Sequence, residues 1–271
     1  MATNDFKSKI LIGSGATVVL LALWKASYQY TCWSWFFPFM IFLFIATGQF
    51  EHVMLKRKCQ VNCMFKQESW VYKVMTGKIL LVIFTVFITA VLSIPLITFS
   101  ALANQSDIIF TVISLTITAL LYSPILKFSS HHVIEGMNII MVKRIVVLFS
   151  LTIMLLTYTY TSYYHISVPS YLDETSLTNT VDNASQSVAS LCSINNLFLK
   201  WSQETEATVI FSMLVASKKI DNSGISSLYW VMFFLNHALV FAALARLQVE
   251  LISHAVKINN KGGAYQYEST K

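Results

Sequence analysis

The stretch FEHVMLKRKCQVNCMFKQESWVYKVMTGK, residues 50–78, separates two long apolar runs and carries Lys56, Arg57, Lys58, Lys66, Lys73 and Lys78. Lysine and arginine beside membrane spans are retained on the cytoplasmic side, so this stretch predicts which side every other loop occupies. Lys56, Arg57, Lys58 and Lys66 read as a solvated loop, and Lys73 and Lys78 as side chains snorkelling from the base of the next helix.

The remainder of the 271-residue chain explains why a membrane is its expected solvent. With 55% hydrophobic and 12% charged residues it holds more apolar surface than one water-soluble core can bury. The apolar runs are continuous rather than alternating, which predicts helices and not a barrel. The expected fold is all-α: a polytopic membrane helix bundle of about six transmembrane helices with one exoplasmic loop region. The net charge of +6 gathers in loops on one side, as topology determinants do, and no nucleic-acid partner is expected.

Working outward, the predicted spans are 9–26, 33–50, 79–102, 108–126, 145–165 and 227–245. The first ends in Trp24, Lys25 and Tyr28 without a small-x-small site, so it reads as a retained span and not a cleaved signal. Its Gly13, Gly15 and Ala16 offer a patch where a neighbouring backbone can approach. The run GSGAT lacks the preceding strand and third glycine of a dinucleotide fingerprint. Trp24, Tyr28, Tyr30, Trp33 and Trp35 suit a hairpin at the far interface. Lys127, Lys143 and Arg144 place 127–144 beside the cytoplasm again, and both termini are expected there.

Four regions follow: a five-helix part over 1–165, an exoplasmic loop over 166–226, a last helix with a cytoplasmic extension over 227–258, and a flexible cytoplasmic tail over 259–271. The exoplasmic part is rich in Asp, Glu, Asn, Ser and Thr, and 197–217 reads as an amphipathic helix. Arg246, Glu250 and His254 recur at helical spacing and predict charge pairs along a projecting helix. The sequons at Asn104 and Asn183 both fall in loops assigned outside, making them candidate glycosylation sites. Cys32 and Cys192 share that side and are a candidate disulfide, although spacing alone leaves the pairing open. Cys59 and Cys63 sit in the basic stretch; lipidation or metal binding is conceivable there, and ordinary free thiols are the plainer reading.

No zinc helix, nucleophile elbow or phosphate-gripping loop occurs, so no catalytic, cofactor or metal site is expected. His131, His132 and Glu135 read as a solvated interfacial loop, since a di-iron site needs several such groups. Asn236 and His237 are the costliest polar pair inside an apolar span and should face other helices. Hydroxyl stripes follow on span three (Thr85, Thr89, Ser93), span four (Thr111, Thr118, Tyr122) and span five (Ser150, Thr157, Thr161). They read as interhelical glue. The functional expectation is a multi-pass membrane protein of the plasma membrane or secretory pathway, a bacterial inner membrane being the other setting. It would act by contact with other membrane proteins or itself, as a subunit, assembly, exclusion or adaptor factor. The alternative is a small channel or transporter using Asn236, His237 and the hydroxyl-lined helices.

Overall fold

The computed structural model describes residues 2–64, 78–132, 135–164, 169–216 and 223–260. In chain order the helices are α1 (Ala2–Ser27), a short 3-10 turn (Cys32–Trp35), α2 (Phe36–Met64), α3 (Lys78–Leu102), α4 (Gln105–His132), α5 (Glu135–Tyr164), α6 (Leu177–Gln186), α7 (Ser193–Phe211) with a π turn (Ser212–Ala216), and α8 (Ser223–Asn260). No strand occurs among the described residues.

Six of these helices are long and apolar enough to cross a membrane: Lys7–Ser27, Cys32–Glu51, Leu81–Leu102, Gln105–His132, Asn138–Thr161 and Val231–Val256. Their outward faces carry large apolar side chains such as Leu11, Ile12, Phe87, Leu120, Leu148 and Leu156, all strongly exposed. A girdle of that kind is costly in water and at home in hydrocarbon.

The basic stretch is less of a loop than its charge suggested. The helix α2 runs on to Met64, because no glycine or proline interrupts the chain between Gly48 and Gly77 and the residues after Glu51 include good helix formers. Residues 65–77 and the tail 261–271 lie outside the described residues. The expected loop at His131 and His132 is likewise helical, forming the last turn of α4, with His131 Nδ1 bonded to the Lys127 carbonyl at 3.0 Å. In the expected exoplasmic segment, α6 appears in addition to the anticipated amphipathic helix.

The hub of the bundle is α8, which packs against α1, α2, α3, α4, α5 and α7. From Val240 to Ser253 nearly every side chain is buried. Arg246, Glu250 and His254, expected to carry charge pairs along a projecting helix, instead lie on a part of α8 packed within the bundle. Five neighbours surround this part of α8, and Glu250 is buried among them. Tight contact is achieved where side chains are smallest. A Cβ on Gly13 would stand 2.6 Å from the Ile252 Cα, so glycine lets the α1 and α8 backbones touch. A Cβ on Gly15 would meet nothing, so the predicted patch reduces to one residue there.

Polar links fix the register. The buried Gln248 amide donates to Ser14 Oγ at 2.9 Å and to the Leu115 carbonyl at 2.7 Å, joining α8 to α1 and α4. Trp24 Nε1 donates to the Ile97 carbonyl at 2.9 Å. Lys25 Nζ donates to the carbonyls of Ala101 and Ala103 at 3.2 and 2.7 Å, placing a cation where the end of α3 has carbonyls without intrahelical partners. Asn104 and Asp107 shape the tight link into α4, the Asp107 carboxylate accepting the Asn104 N–H at 2.9 Å as in a capping box.

Candidate functional site

Two places concentrate the chemistry, one at each end of the bundle. At the end bearing Glu51, Lys143 reaches from α5 to carboxylates on two other helices. Its Nζ lies 3.2 Å from Glu51 Oε2 and 2.6 Å from Glu250 Oε2. The Lys143 and Glu250 side chains are 9% and 3% exposed, so that pair is largely desolvated, while Glu51 is 43% exposed; together the three tie α2, α5 and α8. Gly48 makes room for it, since a Cβ there would collide with the Glu250 carboxylate. Beside the triad lies a cavity of about 550 Å³ lined by Arg144, Arg246, Leu148 and Leu151, among others. The charge pattern read from sequence marked Lys143 and Arg144 as loop residues. That both lie on a helix, Lys143 buried and Arg144 exposed, follows from α5 starting at Glu135, nearly three turns earlier than predicted.

The opposite end, about 25 Å away along α2 at 1.5 Å per residue, carries a lobe made of α6 and α7. The candidate disulfide is formed: Cys32 and Cys192 are bonded, with a Cα separation of 5.0 Å. Around it Asn195, fully buried, donates to the Tyr28 carbonyl at 3.0 Å and to Ser34 Oγ at 3.1 Å. Ser190 Oγ donates to the same carbonyl at 2.7 Å, and the Leu191 N–H to the Gln29 carbonyl at 3.0 Å. Val188 and Leu199 join the apolar core containing Trp24, Ile41 and Leu244, so the lobe is packed onto the bundle.

One face of α7 is apolar and uncovered. Ile194, Leu197 and Trp201 recur at i, i+3 and i+7 and are all well exposed, Leu197 to 75%. With Trp35 and Phe198 they line a shallow apolar groove, and Trp33 nearby is 91% exposed. The stripe meets the girdle at Trp35, whose neighbours Phe36 and Phe39 point outward at the start of the second span. The other side of the lobe is polar. Asp173 accepts from the Thr175 N–H and hydroxyl and from Asn179 Nδ2, and these bonds hold its carboxyl down at about 2. Burial, then the charge of Asp107, pushes Glu206 on α7 up to about 7. Tyr171 is raised by burial and by the charges of Glu206 and Asp107.

Of the intramembrane candidates, His237 is buried and stacks on Tyr158 with ring centroids 4.5 Å apart. Its Nδ1 lies 2.9 Å from the Phe233 carbonyl, which can only accept, so the proton sits on Nδ1. Asn236 is half-buried beside it. The hydroxyl stripes divide. Thr118 and Ser150 form a 2.6 Å bridge between α4 and α5, as glue should. Thr85, Thr89 and Ser93 are all buried on α3, with Thr85 and Thr89 Oγ1 lacking a hydrogen-bond partner among the described residues. Thr157 points away from the bundle and bonds its own helix at Ile153, which removes it from the expected stripe. Asn104 and Asn183 are exposed. Cys59 and Cys63 fall on the last turns of α2, with side chains outside the described residues.

The sequence signal that would have found the ionic triad is the coincidence of Glu51, Lys143 and Glu250 at the same ends of three spans. No family model, curated protein or solved structure shows a significant match to this chain.

Proposed function

We propose that this is a multi-pass integral membrane protein that works by contact with another membrane protein and carries no catalytic centre of its own. The triad end with its basic segments faces the cytoplasm, as do both termini, and the lobe faces outward in the plasma membrane or the secretory pathway. The disulfide supports this orientation independently of the charges, because such bonds persist on the oxidising side of a membrane.

The observation that carries the reading is the uncovered apolar stripe of Ile194, Leu197 and Trp201 on a firmly clamped lobe. A clamped surface loses little freedom on docking, and exposed tryptophan supplies anchoring area. Because the stripe runs into the girdle of the second span, its partner must be comfortable in both headgroup and hydrocarbon layers, which fits a transmembrane protein. Photo-cross-linkers at Leu197 and Trp201 should capture one and the same membrane protein in intact cells. A cross-linker at Asn179 on the polar side should not, and Leu197→Glu should abolish co-purification of that protein. Lipid adducts alone at both stripe positions would overturn the reading and make α7 an outer-leaflet helix.

One observation favours the channel or transporter reading. His237 lies within electrostatic reach of Asp107, which in turn neighbours Lys25 and Glu206, a run of titratable groups from mid-α8 to the lobe. Flux into liposomes that disappears in His237→Ala would favour it over contact.

A further inference from the structure

The cavity beside the ionic triad is lined by three cations and two carboxylates, and the pairing among them is uneven. Lys143 is bonded to both Glu51 and Glu250. Glu250 is further held by the close passage of Gly48, which fixes where its carboxylate can stand. Arg144 and Arg246 make no hydrogen bond or ion pair within 4 Å to any described residue, and they are near enough to repel each other, with Glu250 the attracting charge on Arg246. Two guanidiniums thus stand at the edge of one cavity, and the carboxylate that attracts Arg246 is already bonded to Lys143; guanidiniums so placed suit a phosphate.

The remaining wall specifies what kind of anion. Ile140, Ile145, Val147, Leu148 and Leu151 make most of the lining apolar. Leu148 is 61% exposed on the outer face of α5, so the cavity opens on the flank of the bundle, where the girdle meets lipid. Arg144, also exposed, lies one turn before it and about 9 Å along the helix from the start of its span at Asn138. From that height a long cationic side chain can snorkel to the headgroup level. A volume of about 550 Å³ lies within the range of small-ligand sites.

We propose that this cavity binds the phosphate of an anionic phospholipid, with Arg144 and Arg246 gripping the phosphate and Leu148 and Leu151 lining the path of the acyl chain. A soluble phosphate would satisfy the same guanidiniums and leave the apolar wall empty. The inference uses the membrane reading above but not the partner at the lobe.

The test is lipid binding by the full disulfide-bonded chain, followed by native mass spectrometry with phosphatidic acid and phosphatidylcholine of matched chains, and with inorganic phosphate as competitor. Phosphatidic acid should be retained in preference to phosphatidylcholine. Arg144→Gln should weaken its binding about fivefold and the double variant with Arg246→Gln about 25-fold, since each cation near a headgroup is worth about that factor. Inorganic phosphate at equal concentration should not displace it. Arg144 is exposed, so the single variant carries the test even if the double variant fails to assemble. Unchanged phosphatidic acid binding in Arg144→Gln, or displacement by equimolar inorganic phosphate, would overturn the proposal. Loss of lipid binding with cross-linking at Leu197 intact would separate this site from the partner surface.

Discussion

At the lobe end, the fastening is a disulfide and hydrogen bonds to backbone carbonyls: an asparagine amide and a serine hydroxyl on one, an indole N–H on another, and the Lys25 ammonium on two more. At the triad end, the fastening is ionic, with one lysine shared between a buried glutamate and a half-exposed one on different helices. A covalent bond and hydrogen bonds to backbone depend little on salt, and losing one leaves at most a polar group unsatisfied. A buried ion that loses its partner keeps its full desolvation cost. The two ends should therefore fail differently: the lobe by coming loose locally, the triad by destabilising the packing of three helices together.

The largest effect is expected at Lys143. Lys143→Met leaves two carboxylates facing each other in the bundle and should cost about 3–5 kcal/mol, read as a fall in the unfolding midpoint in detergent. Adding Glu51→Gln and Glu250→Gln should recover most of that loss. A single variant as stable as the parent would erase the contrast between the ends. Next in size, Cys32→Ser with Cys192→Ser should cost about 2–4 kcal/mol by releasing a long chain loop. It should speed proteolysis within residues 169–216 while leaving cleavage near the triad unchanged. Equal acceleration at both ends would show that they are mechanically one unit.

The smallest effect is a pH dependence confined to the lobe. The folded pKa of Glu206, about 7, lies above its ordinary 4.5, so the folded state holds this proton more tightly. Its favourable contribution is full below 4.5 and is lost as pH rises through about 7. Asp173 has the opposite sign: its contribution is present above 3.8 and fades as pH falls through about 2. Lobe opening, measured by hydrogen exchange on α7, should increase between pH 5 and 8, and Glu206→Gln should flatten that rise without moving the triad end. A rise that persists in Glu206→Gln would assign the titration elsewhere.

Much of the architecture could be read from residue order. Continuous apolar runs announce helices, yet the tight Asn104–Asp107 link does not make α3 and α4 packed neighbours: α3 lies against α2 and α8, and α4 against α5 and α8. The pairing of Cys32 with Cys192 was available only as a candidate, since nothing local brings residues 160 apart within bonding distance. The charges near the ends of spans were legible as topology signals and not as structure. A lysine ending a hydrophobic run looks alike whether it faces water or, like Lys143, two glutamates on other helices. Gly13 and Gly15 look equivalent in sequence as well, yet only Gly13 lies under the Ile252 backbone.

The sequence by itself determined that this chain makes helices, how many are long and apolar enough for a membrane, and where the polar lobe falls between them. Hydrophobicity and helix propensity are properties of neighbouring residues, so they can be summed along the chain. Only the tertiary structure decided that α8 is the hub, that Glu51, Lys143 and Glu250 meet, that two arginines are left beside a cavity, and that α7 turns an apolar stripe outward. Those facts depend on which faces of separate helices touch, and contact energies between distant segments leave no periodic trace in the order of residues.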